Sequence, residues 1–301
     1  DTDYDCPDRE RAQWWGDARV QAWNAAHLSG DSRLLLRGIR SISQQVTPDG
    51  LTYGHAPTVA HHCILPDFSL IWILSLWDYY WQTGELQPVE DYVHRIESIL
   101  NYFKEWTDES NGLIRADSRY WLFLDWNDLP REGNPSALSL WLLIVLQKLD
   151  ILYRKAGRSD RARSASKWAK QLKQSIEVHL ISRQGLIYDG LNPKGKAIHR
   201  HSVHGQVLAW QSGVSKLNQS RLISDVLLPA LKEKGYHGSK PSAYWWVYPL
   251  QCLVQLGYEN EVVTFISRKW KAMGEFGTTW EDFAPLRGQW SYSHAWSAHP
   301  L

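Results

Sequence analysis

Hydrophobic and polar positions along this chain fall into two helical patterns that take turns. Residues 68–81 are apolar on nearly every side, through Leu70, Ile71, Trp72, Ile73, Leu74, Leu76, Trp77, Tyr79 and Tyr80. A helix that is apolar all round is buried all round. The next stretch, 88–106, keeps Val89, Tyr92, Val93, Ile96, Ile99, Leu100, Phe103 and Trp106 on one stripe. Glu90, Asp91, Arg95, Glu97 and Lys104 cover its other face, as an outer helix requires. Pro88 suits the first turn, where its missing N–H costs nothing. Residues 137–152 return to the all-apolar pattern, and 160–180 to the striped one, with Trp168, Leu172 and Ile176 on the stripe. Further on, 204–214 leans apolar, 221–234 is amphipathic, 243–256 apolar and 261–273 amphipathic. Two helices precede these, 15–28 and 32–46, with Asp31 as the expected N-cap of the second. A last helix is expected to begin near Ser291 and run to the end of the chain.

About six buried helices thus alternate with about five amphipathic ones, at roughly fifty to sixty residues per repeat. Two concentric layers satisfy this pattern, so the expected fold is an all-α (α/α)6 toroid spanning 1–301 as a single domain. One outer helix is expected ahead of Asp5. An open solenoid of helix pairs is the alternative. The repeat lies in amphipathicity rather than residue identity, and the connections are unequal, which favours the toroid. Ser29-Gly30-Asp31, Gly84-Glu85-Leu86, Gly157-Arg158 and Gly257-Tyr258 are short and plain. The opposite connections are long, with a short β excursion expected in 119–128, and a site is expected where they emerge.

Those long connections carry the chemistry. Residues 5–17 hold Asp5, Asp8, Glu10 and Asp17, Arg9 and Arg11, and Trp14 and Trp15. Carboxylates beside indole rings suit the gripping of a neutral polyol and proton transfer around it. A plainer account is a charged helix start, with acids near the positive end of the macrodipole. Adjacent tryptophans are not explained by capping. Other connections bring His61, His62 and Asp67, then Arg119 to Asp128, then His199, His201 and His204, then Lys240 with Tyr244, Trp245 and Trp246. Gly277 to Asp282 and Ser291 to Trp296 complete the set. Trp72, Trp77, Trp141 and Trp245 sit on all-apolar helices and are expected in the core.

Composition narrows the partners. A net charge of +1 gives no bulk attraction to nucleic acid or an acidic membrane. No apolar run looks long and clean enough to span a bilayer. The chain holds 18 Trp against 6 Phe, an excess that suits flat indole faces against sugar C–H surfaces. Cys6, Cys63 and Cys252 lie far apart without a Cys-x-x-Cys pair, and the histidines show no His-x-x-x-His with a carboxylate in register. No metal and no cofactor are therefore expected. No signal-like segment is visible, which leaves localisation open, a secreted or periplasmic address being compatible. The abrupt start on a charged motif leads us to expect a segment of a longer protein.

Asp-Cys-Pro-x-Arg-Glu…Trp-x-Gly-Asp at 5–17 resembles the signature of the α-L-rhamnosidases, glycoside hydrolase family 78. Leu124-Asp125-Trp126 looks like that family's Gly-Asp-Trp segment, and Gly277-Thr278-Thr279-Trp280-Glu281 like its Ala-Thr-Thr-x-Trp-Glu segment. Ser291-x-x-His294 is similar to the stretch before its final inner helix. The resemblance implies Glu10 as the general acid and Glu281 as the general base of an inverting exo-glycosidase acting on terminal α-L-rhamnose or a close deoxy-sugar. It implies substrate contacts from Asp5, Arg9, Asp17, Trp126 and His294, and the long connections add Trp14, Trp15, Asp67, Asp125, His204 and Trp280 as further candidate substrate contacts. It also implies β-sandwich domains flanking the toroid in the parent chain. An inverting pair is expected roughly 6.5–9.5 Å apart, leaving room for water. Leu65-Pro66-Asp67 departs from the family, many of whose members place Trp two residues before that Asp. Asp282, adjacent to Glu281, competes for the inward position. A trehalase-like hydrolase, a disaccharide phosphorylase and a non-catalytic glycan-binding toroid are the alternatives.

Overall fold

The computed structural model describes residues 3–59, 63–286 and 288–299. His61 and His62 lie outside them. Helices dominate: α1 Trp15–Ser29, α2 Arg33–Ser43, α3 Pro66–Thr83, α4 Gln87–Asp91, α5 Val93–Glu105, α6 Ser136–Lys155, α7 Ser159–His179 and α8 Val203–Gln211. A run of α9 Gln219–Arg221, a π-helical segment Leu222–Leu227 and α10 Leu228–Lys232 follows, then α11 Val247–Gln255, α12 Glu259–Lys269 and α13 Lys271–Phe276. Ala295–Ser297 forms a 3-10 turn. The strands among the described residues are β1 Asn134–Pro135 and β2 Gly190–Leu191, paired antiparallel.

The chain separates into two compact units, Asp1–Tyr102 with Ser242–Val247 and Ile266–Leu301, and Phe103–Pro241 with Tyr248–Phe265. In the first, α1 packs on α2 and α3, and on the 3-10 turn. Trp15 is 1% exposed, and its indole N–H donates to Ser75 Oγ on α3 at 2.9 Å. Gly38 on α2 faces that ring so closely that a Cβ would lie 2.4 Å from it. Gly16 is needed for a similar reason, since a Cβ there would meet the Phe68 ring at 2.9 Å. Arg19 of α1 and Asp78 of α3 form a buried ion pair at 2.6 Å, which joins the two helices through charge. In the second unit, α6 packs along α7 and against α8. α7 buries Ala162, Ala165, Ala169, Leu172 and Ile176, a stripe at spacings of three and four.

Several boundaries differ from the sequence expectation. The helix expected over 88–106 breaks at Tyr92, and that over 261–273 breaks at Trp270. α2 ends at Ser43, short of Val46. Its N-cap is Ser32, although the Asp31 carboxylate accepts the Arg33 N–H at 2.9 Å. The apolar stretch 243–256 is helical only from Val247, its first four residues forming turns. No strand lies in 119–128, where the polypeptide instead loops around the Arg131 guanidinium, which donates to the carbonyls of Leu122, Phe123, Asp125, Asn127 and Leu129. The helix expected from Ser291 is a single 3-10 turn, because 291–294 pairs its backbone with 279–281. α6 is long and apolar enough to cross a membrane by length and composition, contrary to the sequence estimate. It is largely buried against α7 and α8, as a core helix is. Trp72, Trp141 and Trp245 are in the core as expected, but Trp77 is only half-buried and stacks on exposed Trp81.

Candidate active site

The motif at 5–17 begins as a closed loop rather than a helix. The Asp5 N–H donates to the Ala12 carbonyl at 2.9 Å, and the Ala12 N–H returns to Asp5 Oδ1 at 2.8 Å. Arg11 adopts a left-handed φ of 53° at the turn, and its Nε donates to the Pro7 carbonyl. A β-bridge between Trp14 and His55 then leads into α1. The Trp14 ring meets His55 edge-on at 4.4 Å, and its Nε1–H donates to Glu10 Oε2 at 2.5 Å. Glu10 is therefore held at the loop's turn by an indole that is itself wedged in place.

Glu281 arrives from the far end of the chain. The segments 279–281 and 291–294 exchange backbone bonds, Glu281 N–H to Ser291 O and His294 N–H to Thr279 O. The Trp296 indole donates to the Glu281 carbonyl, and Ser291 N–H donates to Glu281 Oε2 at 2.8 Å. The side chain is buried, at 3% exposure, whereas that of Glu10 is 41% exposed. Asp282 turns away and accepts the Ala284 N–H, so Glu281 is the inward carboxylate of the two.

Arg9 joins the pair. Its Nη2 donates to Glu10 Oε1 at 3.1 Å and to Glu281 Oε1 at 2.8 Å, while Nη1 donates to the Gln289 carbonyl. One nitrogen serving both places those two oxygens less than about 6 Å apart. Burial raises the Glu10 pKa, and the charges of Asp5 and Glu281 add to the rise against the opposing Trp14 bond and Arg9 charge. Burial opposes the Arg9 charge, but the bond and charge of Glu281 outweigh it and raise the Arg9 pKa.

Behind this pair lies a buried cluster. His294 Nδ1 stands 3.2 Å from Asp17 Oδ1, and His294 Nε2 stands 3.8 Å from Asp5 Oδ2. Neither His294 Nδ1 nor Asp17 Oδ1 makes a hydrogen bond of good geometry. Burial pushes the Asp17 carboxyl well above its usual range, with Asp5 adding to it, and pushes His294 down to about 4. Both groups are thus driven toward their neutral forms. Asp5, Cys6 and His294 hold donor atoms within 4.8 Å of one another. The Cys6 thiol donates to Asp5 Oδ2 at 3.0 Å, and burial raises its pKa. The thiol is thus part of the same buried hydrogen-bonded cluster.

Of the residues expected at the site, Asp5, Arg9, Glu10, Trp14, Asp17, Glu281 and His294 come together in the first unit. Trp15 does not face them, being a core residue bonded to Ser75. Asp67 is buried in the first turn of α3, where an acid also complements the helix dipole. Trp280 packs with Phe276 and Tyr292 at ring separations of 5.7 and 5.3 Å. In the second unit, His204 Nε2 meets Asp125 Oδ2 at 2.8 Å, and Asn127 bonds to both. Asp125 Oδ1 accepts the Trp126 N–H, and the Trp126 ring is 43% exposed beside Trp121. His199 and His201 pack against Tyr188. Sequence reasoning missed Asp8, which accepts the Ser291 hydroxyl at 2.7 Å, and the Gln289 carbonyl. Asp8 lay within the motif; a backbone carbonyl has no sequence signal.

The bacterial alpha-L-rhamnosidase 6 hairpin glycosidase domain matches residues 1–301. The chain belongs to that family. Among solved structures it resembles a GH78 family rhamnosidase of Bacillus at 21% identity and a TM-score of 0.85, covering 98% of this chain and 32% of that one. A Klebsiella oxytoca rhamnosidase with rhamnose bound gives 20% identity and 0.80, covering 99% of this chain and 58% of that one. The chain therefore spans less than two thirds of either rhamnosidase. A GH63 mannosylglycerate hydrolase of Thermus thermophilus gives 12% identity and 0.68, covering 97% and 92%. No curated protein sequence matches. The all-α six-hairpin class expected from the hydrophobic pattern is the fold of this family.

Proposed function

We infer that this chain is the catalytic domain of an inverting exo-glycosidase that releases terminal α-L-rhamnose, or a close deoxy-sugar, from glycosides or polysaccharides. The observation that carries the reading is the meeting of Glu10 and Glu281 on the Arg9 guanidinium, from positions 271 residues apart in sequence. One is half-exposed with a raised pKa, as a proton donor to a leaving group needs. The other is buried and oriented by a backbone N–H, as a base that aligns water needs. Glu10 gives its proton to the glycosidic oxygen as the C–O bond breaks. Glu281 takes a proton from the water that attacks the opposite face of the sugar.

Asp17 Oδ1 and His294 Nδ1, buried and poorly bonded, are the groups that sugar hydroxyls would satisfy. Their neutral forms both donate and accept, which suits a hydroxyl better than an ion. Asp125 and Trp126, from the segment like the family's Gly-Asp-Trp, and His204, paired with Asp125, are further proposed substrate contacts, and β-sandwich domains of the parent protein are the proposed neighbours. A second reading has one observation behind it, the likeness to a mannosylglycerate hydrolase along nearly all of both chains. The test is to assay para-nitrophenyl α-L-rhamnoside against the α-L-fucoside, the α-D-mannoside and trehalose, with and without phosphate. Rhamnoside turnover, with Glu10→Gln and Glu281→Gln each lowering kcat by about 10²–10⁴-fold, is expected. Proton NMR should show the β anomer of rhamnose forming first. An α anomer would mean a retaining pair, for which separations are about 5–5.5 Å. Preference for mannoside, dependence on phosphate or no turnover would replace the reading with the mannoside hydrolase, the phosphorylase or the glycan-binding module.

A further inference from the structure

Glu281 is held at both of its oxygens. Oε1 accepts the Arg9 guanidinium at 2.8 Å, and Oε2 accepts the Ser291 N–H at 2.8 Å. The second bond is only as well aimed as the peptide that supplies it. Ser291 is 1% exposed, and its carbonyl accepts the Glu281 N–H at 3.0 Å, so it grips Glu281 through backbone and side chain together. Its own orientation is set at the hydroxyl. That oxygen accepts the Ser293 N–H at 3.1 Å and lies 2.7 Å from Asp8 Oδ1 and 3.1 Å from the Ser293 carbonyl. A hydroxyl has one proton to give. Asp8 is the nearer and the charged acceptor, so the bond to it is the stronger of the two.

Asp8 comes from the other end of the chain, 283 residues away, in the loop closed between Asp5 and Ala12. Its neighbour Arg9 reaches the same far segment, at Glu281 and at the Gln289 carbonyl. Two consecutive residues of the loop that carries Glu10 thus take hold of the stretch that carries Glu281. Asp8 is itself exposed, and its bond goes to Ser291 rather than to either glutamate. A catalytic group must be held within about 0.5 Å and about 10–20° of its working geometry. A displacement of about 1 Å can cost on the order of 100-fold in rate.

We propose that Asp8 is a positioning residue for the general base: its carboxylate locks the Ser291 hydroxyl, and the Ser291 peptide then aims the Glu281 carboxylate at the attacking water. The inference rests on the reading of Glu281 given above. Asp8 takes no part in either proton transfer and makes no contact with the sugar. Its loss therefore lowers kcat and leaves substrate binding in place.

Steady-state kinetics on para-nitrophenyl α-L-rhamnoside test the catalytic half. Asp8→Ala and Ser291→Ala should each lower kcat by about 10–100-fold, with KM within about twofold. Asp8→Asn keeps a side-chain oxygen to accept the hydroxyl and should recover most of the loss. The double variant Asp8→Ala/Ser291→Ala should be no slower than the slower single one, because both substitutions remove the same bond. Phenyl α-L-rhamnoside, with a poorer leaving group, should lose the same factor in Asp8→Ala, whereas a lesion acting through Glu10 would weigh more heavily on it. A higher KM at constant kcat, an Asn variant as slow as the Ala variant, multiplied losses in the double variant, or a larger loss on the phenyl glycoside would each overturn the proposal. Hydrogen exchange read by mass spectrometry follows the clamp without turnover. The peptide carrying the Ser291 amide should exchange about tenfold faster in Asp8→Ala and stay protected in Asp8→Asn; unchanged protection in Asp8→Ala also overturns the proposal. If Glu281→Gln leaves turnover intact, or no rhamnoside is turned over, the reading of Glu281 as base fails by itself, while the exchange comparison still decides whether Asp8 holds Ser291.

Discussion

Replacing Trp14 by Phe removes one hydrogen bond from Glu10 and little else. The indole N–H donates to Glu10 Oε2 at 2.5 Å, while the ring faces His55 and Phe68, contacts that a phenyl ring retains in part. A hydrogen bond to a charged group contributes about 1.5–3 kcal/mol. The Glu10 side chain is 41% exposed, so solvent screening places this bond near the low end, at about 1.5 kcal/mol. The direction follows from which form the bond favours. Trp14 stabilises the carboxylate and lowers the Glu10 pKa against the rise from burial, so its loss lets the pKa climb further. On the proposed role Glu10 acts in its protonated form, and kcat/KM should then persist to higher pH. The alkaline limb of the kcat/KM profile on para-nitrophenyl α-L-rhamnoside is expected to move to higher pH in Trp14→Phe. Glu10→Gln, which has no titrating group, should erase that limb and so identify it. A limb that stays in place or moves to lower pH, in a variant with a wild-type urea midpoint, would refute the assignment of Glu10 as acid.

Three further predictions concern stability. Gly38→Ala sets a methyl against the buried Trp15 ring, where a Cβ would lie 2.4 Å from Cζ3, and should cost about 1–3 kcal/mol by urea unfolding; an unchanged midpoint would mean that the ring moves freely. Arg19→Met strands the buried Asp78 carboxylate and should cost about 3–5 kcal/mol, most of it recovered by adding Asp78→Leu. His294 has a folded pKa of about 4 against an ordinary 6.5, so the unfolded chain binds the extra proton between those values. Its contribution to stability is complete above the unfolded pKa and is lost as pH falls toward the folded one. His294→Gln should therefore gain up to about 3 kcal/mol on the wild type between about pH 7 and about pH 4, read from urea midpoints. An equal pH dependence in both proteins would show that the imidazole is not desolvated.

Much of the cluster around Arg9 was legible because its residues are named by chemistry rather than by place. Glu10, Arg9, Asp5 and Asp17 sit within thirteen residues, and a family motif pairs them with Glu281 and His294. Trp15 shows where that reasoning stops. It stands in the same motif as Trp14 and has the same side chain, yet one indole bonds Glu10 and the other bonds Ser75 in the core. The β-bridge at Trp14 and the start of α1 at Trp15 send consecutive side chains in different directions. The loop 119–128 was misread for a related reason, since its shape follows from carbonyls gathered on Arg131 and not from any alternation of its own side chains.

Local periodicity was enough to determine most of the helices, their buried or striped character and the all-α class, because burial of an apolar face is written into spacings of three and four residues. It did not determine helix ends or the breaks at Tyr92 and Trp270, which depend on what each turn packs against. Tertiary structure alone decided that Glu281 rather than Asp282 faces inward, that both glutamates share Arg9, and that Asp17 and His294 are buried with unmet hydrogen-bonding capacity. Those are facts of distance and desolvation between residues far apart in the chain. Proton affinity is set by such surroundings, so the sequence could nominate an acid and a base, while only the fold could bring them to one guanidinium and separate their exposures.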